Sequence, residues 1–542
     1  MGWLHLFPKS RAADAASLIW RQGQEAPIMG PMIPTKPNRR DLMFGLGLAG
    51  AGALGLGAAI PFSRWFSGNA RAATGPAIRQ DISSLDPRGP VLRAFVSGLR
   101  AMMALPQTHP LSWAFHANVH LTKDNPAVLY PYWPEADQLI GGLWNNCPHG
   151  SYYFLPWHRL YLYFLERRLR FLSGDPDFAL PYWNYTDPGP NNTEQRKIPA
   201  VFRERSIDGG FNPLFIPDTV YAAPLPSNGR DPRYNRGAIL DLSDVSVARA
   251  FSFKNFSIDR GTESFGGHPP PQSFLFGALE ETPHNNIHAN IGGANGLLGN
   301  LFVAARDPLF FAHHANVDRL WESWLALGQG RANPVDNPQW ITKTWSFVDE
   351  RLNVVTISPA EALDVVGQLG YTYDALHNPP PKSPAALAMR MEADIGSVDQ
   401  LAPVFSSPAL TFDHNGAVAH FAQTGDRCCG SRWFLHIEGI TTPTDPGASF
   451  GLWLGQPRTL LSSADPRFIG AVALLGMGGH QHHGGMGQER RFDVTEQMAL
   501  LAQDQSPSLT IAQIRPTAND GTLYPPLAHA PIHFETVKLY RA

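Results

Sequence analysis

The run "LHNPPPKSPAALA", beginning at Leu376, separates two parts of the chain that are written in different patterns. Consecutive prolines fix φ and withdraw amide donors, so this stretch excludes helix and favours extended chain, as a linker does. Ahead of it, from about residue 80 to 355, apolar residues recur with helical spacing in "FLPWHRLYLYFLERRLRFL" and "HHANVDRLWESWLAL", with glycine- and proline-rich loops between. Behind it the pattern becomes short runs rich in β-branched and aromatic residues: "ALTFDHNGAVAHFA", "RWFLHIEGI", "SFGLWLG", "FIGAVALLG", "SLTIAQIRP" and "HFETVKLY". Such a series, broken by turn residues, predicts an antiparallel β-sandwich. The expected order is a leader at 1–72, a mainly α domain at 73–375, a proline-rich linker at 376–390 and the sandwich at 391–542.

The leader has its own signature. Arg39 and Arg40 precede nineteen uncharged residues, Leu42 to Ile60, of which six are glycine, and the small-residue stretch Ala70-Arg71-Ala72 follows. This resembles a twin-arginine export signal, which implies a periplasmic or secreted destination. The length would also suit a membrane span, but the glycines make it weakly apolar, and no stable span is expected after cleavage. Met29 and Met32 are alternative starts. The 43 basic and 46 acidic residues leave a net charge of −3 without a basic stripe, which argues against a nucleic-acid partner. Three cysteines, Cys147 and the adjacent Cys428 and Cys429, draw no disulfide framework.

Histidines carry the chemistry. "ALEETPHNNIHANI" places His284 and His288 four apart, on one face of a helix and within reach of one ion. A zinc-protease helix needs glutamate directly after the first histidine, and Asn285 stands there. Upstream, "WAFHANVH" holds His116 and His120, and "CPHGSYYFLPWHRLYLYFLE" holds His149 in a loop and His158 opening a helix; downstream, "ARDPLFFAHHANVDRLWESW" holds His313 and His314. Two clusters emerge, each able to give three imidazoles, a donor set suited to copper, zinc or iron rather than magnesium or calcium.

"CPHGSYYFLPWHRLYLYFLE" and "HNNIHANI…RDPLFFAHHANVDRLWESW" resemble the two copper signatures of the tyrosinase, polyphenol oxidase and hemocyanin superfamily. "LGYTYD" (Leu369 to Asp374) and "RRFDVTEQM" are similar to its tyrosine motif and C-terminal domain. The resemblance implies a four-helix-bundle core with two copper ions, each held by three histidines, and a C-terminal domain that shields them. Carried over residue by residue, it makes His120, His149 and His158 ligands of the first copper and His284, His288 and His314 ligands of the second. Spacing alone leaves His116 open as a rival to His120, but the family's ligand follows Ala-Asn. His116, His313 and Asp318 are then expected to pack around the ligands. Cys147, two residues before His149, resembles the cysteine that some relatives join to that histidine by a thioether.

The activity so implied is oxidation of phenols by dioxygen: ortho-hydroxylation of monophenols and oxidation of o-diphenols to o-quinones. An o-aminophenol oxidase and, in another class, a dioxygen carrier are the alternatives. A phenol with a pKa near ten needs a base near neutral pH. Glu280 matches a family glutamate that holds a water near the metals, and Asn285 an amide that helps polarise it. Leu301, with Phe302 beside it, matches the gate position, where leucine narrows the entrance less than an aromatic ring. Phenols and dioxygen are the expected partners, with a homo-oligomer left open. The histidine- and methionine-bearing loop "GMGGHQHHGGMG" (Gly476 to Gly487) reads as a surface loop, with copper loading as the alternative.

Overall fold

The computed structural model describes residues 75–122, 142–378 and 402–541, apart from 187, 190, 222–225, 258–263, 271–275, 295, 408, 413–416, 421–430, 445, 456–461, 476–487, 502–506, 528 and 530 within them. The twin-arginine segment, the prolines Pro379 to Pro381, Cys428 and Cys429, and the loop His480 to His483 lie outside the described residues. No described helix is long and apolar enough to cross a membrane.

The first part is helical around its histidines. Helices α1 (Pro90–Ala104), α2 (Trp113–His120), α3 (Phe154–Ser173), α4 (Asn286–Gly292) and α5 (Leu309–Ala326) contribute to one apolar core. Proline in the first turn starts α1, and a serine side chain caps α2, since Ser112 accepts from the Phe115 amide. Gly98 lets α1 approach α3, because a Cβ there would stand 2.9 Å from Leu169 Cδ2. Helix α3 is buried on nearly every side and stops at Gly174, whose φ of 73° is easy only for glycine.

Two expectations about local structure need correction. His158 does not open its helix: α3 begins at Phe154, and Pro156 sits in its first turn, where the amide it lacks has no helical acceptor anyway. Nor does the helix read across residues 278–291 run unbroken. Thr282 leaves helical geometry (φ −142°, ψ 122°) beside Pro283, so the break falls between Glu280 and the two histidines, with His284 in the wide turn that leads into α4 and His288 within α4, their ring centroids 4.5 Å apart. Short hairpins also interleave the helices, such as Trp345–Val348 paired with Val354–Ile357, which the reading of this region as helical missed.

A buried ionic network locks α3 to α5. Strand β1 (Ala77–Arg79) runs parallel to β2 (Tyr371–Tyr373), placing Arg79 opposite Tyr373. Arg79 pairs with Glu166 at 3.0 Å and Asp318 at 3.2 Å, and Arg159 pairs with Asp318 at 2.5 Å. Tyr371 and Tyr373 both donate to Asp318. Although burial opposes its charge, Arg159 and Arg79 hold Asp318 below the usual carboxylate range. The partners sit beside metal-ligand candidates: Arg159 follows His158, and Asp318 stands one helical turn after His314.

After residue 402 the described chain is a sheet region. Strands β3 (Phe405–Ser406), β4 (Ala417–His420), β5 (Trp433–Ile440), β6 (Ser449–Leu454), β7 (Phe468–Ala473), β8 (Gln488–Asp493), β9 (Ser508–Gln513) and β10 (Thr536–Arg541) form two four-stranded antiparallel sheets, ordered β4-β9-β6-β7 and β8-β5-β10-β3. Leu452 pairs with Ile511 in one and Leu435 with Leu539 in the other, and all four enter a single apolar core. Each of the six runs read as strands carries at least one. The sheets rest on the helical part near α4: Gly447, at φ 62°, comes so close to Ala294 that a Cβ would lie 1.9 Å from its amide nitrogen.

Candidate metal centre

Two groups of side chains converge between α2, α3, α4 and α5, each with ligand-type atoms within 4.8 Å of one another: His120, Cys147, His149 and His158, and His284, His288, His313 and His314. The kinked turn before α4 aims His284 across at the first group, with ring centroids 6.2 Å from both His149 and His158. His158 and His314 stack at 4.3 Å with planes 12° apart, so the two groups share one interior.

Carbonyls orient the rings. Nδ1 of His158 donates to Phe154 O (2.8 Å), Nδ1 of His288 to Leu298 O (2.7 Å), and Nδ1 of His284 to Asn285 Oδ1 (2.9 Å). Each bond leaves Nε2 as the lone-pair nitrogen. His288 Nε2 lies 3.2 Å from His314 Nε2. Burial holds these imidazoles neutral: it depresses His158 to about 3 and His288 to about 4, and takes His120, His284, His313 and His314 well below their ordinary value. Among the described residues, His120 Nε2, His284 Nε2 and His314 Nδ1 have no hydrogen-bond partner. Buried unpaired nitrogens cost about 1–3 kcal/mol each, so convergent neutral lone pairs fit soft or borderline cations better than an apolar void.

Of the two histidines on α2, His120 lies inside the first group. His116 turns away, its Nδ1 3.0 Å from Arg168 and its ring stacked on Tyr161 at 4.4 Å. The doublet is less separated: His314 faces His158 and His288, while His313 stacks on His284 at 5.3 Å and its Nδ1 accepts from the Tyr185 hydroxyl at 2.9 Å. Cys147 Sγ stands 3.6 Å from His149 Nε2 and 3.4 Å from His158 Nε2. Burial, with Glu280 nearby, pushes its thiol up.

Glu280 is buried and bridges the groups: Oε1 accepts from the Gly150 amide at 2.8 Å, whereas Oε2 has no partner among the described residues. Burial raises this carboxyl well above the usual range, against the pull of the Gly150 amide and Arg490. Asn285 spends Oδ1 on His284, and its Nδ2 likewise lacks a partner among the described residues. The backbone of Leu301 lies against His120, and Phe302 is half-buried beside it. Neither lines the cleft of about 480 Å³ that reaches the first group past Asn145, Cys147, His149, Tyr153 and Trp345.

Other neighbours escaped sequence reasoning. Phe310 stacks on His314 at 4.0 Å and Phe154 meets His284 edge-on at 4.6 Å; each ring lies four residues before a histidine, Phe154 before His158 and Phe310 before His314, a spacing that could have flagged both. Contacts with the sheets had no such signal. Asn290 donates to Ser449 Oγ at 3.0 Å, Ser449 Oγ donates to Asp244 at 2.6 Å, and Glu281 is ion-paired with Arg490.

Residues 110–327 match the common central domain of tyrosinase, and residues 334–384 the polyphenol oxidase middle domain. The chain is 31% identical over 404 residues to tyrosinase HcTyr1 of Hahella sp. (strain CCB-MM4), covering 68% of this chain and 79% of that protein. It is 33% identical to (+)-larreatricin hydroxylase of Larrea tridentata over 53% of this chain, spanning 47% of that plant protein. Among solved structures, latent apple tyrosinase superposes with a TM-score of 0.54 at 22% identity, over 87% of this chain and 98% of that one. Recombinant latent aurone synthase gives 0.56 at 21%, over 86% of this chain and 90% of that one. At these identities the likeness is one of fold.

Proposed function

We propose, for a chain that belongs to the tyrosinase family of copper oxidoreductases and so takes two copper ions, that it hydroxylates monophenols and oxidises o-diphenols to o-quinones with dioxygen. The observation that carries this reading is the pair of facing groups of buried, neutral imidazoles, joined by the His158–His314 stack. His120, His149 and His158 would hold one ion, and His284, His288 and His314 the other, on the four helices of the bundle and their adjoining loops. Two coppers there would supply the electrons that reduce dioxygen and the Lewis acidity that draws in a phenolate.

The chain's own residues supply the rest. Glu280 has one carboxylate oxygen pinned on the Gly150 amide and the other without a partner among the described residues, an arrangement that can hold a water and take up a phenol proton. Asn285 fixes the His284 tautomer through Oδ1 and can direct Nδ2 at the same water. Phe154 and Phe310 wall the interior with rings and keep it dry. Cys147 Sγ is close enough to His149 to support the thioether, which would fix that ring's orientation. The two sheets, packed as a sandwich over α4, cover the second metal's side. Export by the twin-arginine route remains part of the proposal.

Oxygen uptake by copper-loaded protein with tyrosine, a catechol and an o-aminophenol tests the reading. Uptake on the first two is expected. Uptake on the aminophenol alone favours an o-aminophenol oxidase, and reversible oxygen binding without turnover of any substrate favours a carrier.

A further inference from the structure

The segment bearing Glu280 and His284 cannot hold itself in place. Its backbone breaks helical geometry at Thr282 and contains Pro283, so the turn lacks the regular ladder that fixes side chains along α3 or α5. Glu280, ahead of the break, is therefore not fixed relative to His284 by a regular helix and needs ties from outside. One tie is the Gly150 amide on Glu280 Oε1.

The second tie comes from the sheet region. Glu281 is buried between two cations, Arg249 Nη1 at 2.6 Å on Oε2 and Arg490 Nε on Oε1. Arg490 belongs to β8, its side chain is 2% exposed, and its other nitrogens are oriented by Gln488 Oε1 (2.6 Å) and Glu489 O (2.8 Å). Its guanidinium also lies 5.4 Å from the centroid of Phe276, just ahead of the segment. Arg249 is tied to the same strand, donating through Nη2 to Arg491 O at 3.1 Å. Both cations on Glu281 are thus seated on β8. A buried ion pair of this kind adds little net stability over an apolar replacement, but removing one partner leaves the other charge buried and uncompensated.

We infer that Arg490 is a positioning residue for the reaction, clamping from the C-terminal sheets the turn that presents Glu280 and His284 to the metal centre. The inference rests on the proposed function. It gives the sheet region a supporting role beyond covering the site, because removing that region removes one of the two clamps on Glu281 and the strand that seats the other. A displacement of about 1 Å at a reacting geometry costs on the order of 10²-fold in rate. Steps that need Glu280 suffer most.

The test uses the full-length, copper-loaded chain and the variants R490Q, R490K, E281Q and R490Q/E281Q, with kcat and KM measured on a monophenol and its catechol, plus copper content and thermal midpoint. Expected for R490Q is a fall of about tenfold or more in monophenol kcat, a much smaller fall on catechol, and two coppers retained. R490K, which keeps the charge, should recover most of the loss, and the double variant should be no slower than E281Q alone. Unchanged or increased rates in R490Q overturn the inference, as do losses that multiply in the double variant, or equal losses on both substrates with copper missing. Wild-type protein that turns over no phenol would instead overturn the proposed function.

Discussion

Substituting Asp244 by asparagine should flatten the pH dependence of stability between pH 6.5 and 8. Asp244 is fully buried where the helical part meets the sheets, accepts a 2.6 Å hydrogen bond from Ser449 Oγ, and has Asp241 nearby. Burial, reinforced by the Asp241 charge, raises its carboxyl from 3.8 to about 8, against the hydrogen bonds from Ser449 and Asn290. A folded-state pKa above the unfolded one means the native state binds the extra proton. The resulting stability is complete below pH 3.8, declines as pH rises, and is gone once pH passes about 8. Each pH unit inside that window is worth up to about 1.4 kcal/mol, so the interval from 6.5 to 8, which ends at the folded pKa, should cost about 1.5 kcal/mol. The depressed histidines act with the opposite sign and lower down: their contribution is present above about 6.5 and lost as pH falls toward their folded values of about 3 for His158 and 4 for His288. Glu280, also raised by burial, drifts the same way as Asp244, so the informative quantity is the difference between wild type and Asp244→Asn. Thermal unfolding of both proteins across the interval should show the wild-type midpoint falling by about 1–2 °C more than the variant's. Parallel slopes would refute the claim that a proton is held at this junction.

Glu280→Gln and Asn285→Ala should each lower monophenol oxidation by about tenfold or more, up to the roughly 10²–10⁴ that general-base assistance typically supplies, with much smaller losses on the matching catechol. A parallel fall on both substrates with copper retained would assign these residues to site structure instead. Peptide mass spectrometry of copper-matured protein should find Cys147 and His149 cross-linked and lighter by the hydrogens lost from the thiol and the ring. A fully alkylatable Cys147 in active enzyme would remove the thioether.

The parts of this molecule legible in its sequence are those that local chemistry decides. Period separates helices from strands, and each strand-like run after residue 402 carries a strand because β-branched and aromatic residues there meet one shared core. The histidines were legible because few residue types bind metals, and the motifs that resemble a family place them. What stayed hidden depends on partners far along the chain. Spacing treats His116 and His120 alike; only Arg168 and Tyr161, reached through the packing of α2 on α3, show that His116 faces away from the centre. The kink at Thr282 interrupts what reads as one helix, because Pro283 falls inside an otherwise periodic stretch. Arg490 lies 209 positions after Glu281, and no local pattern announces a contact that exists only once β8 packs on the turn.

Copper content tests the account at its centre. Purified copper-loaded protein should contain two coppers per chain, and His158→Ala and His288→Ala should each lose bound copper together with all phenol oxidation, since each removes a proposed ligand of a different ion. His116→Ala and His313→Ala should keep both ions. A single copper in the wild type, or full copper in His288→Ala with loss in His313→Ala, would contradict the assignment of the two histidine groups to a copper pair held as described.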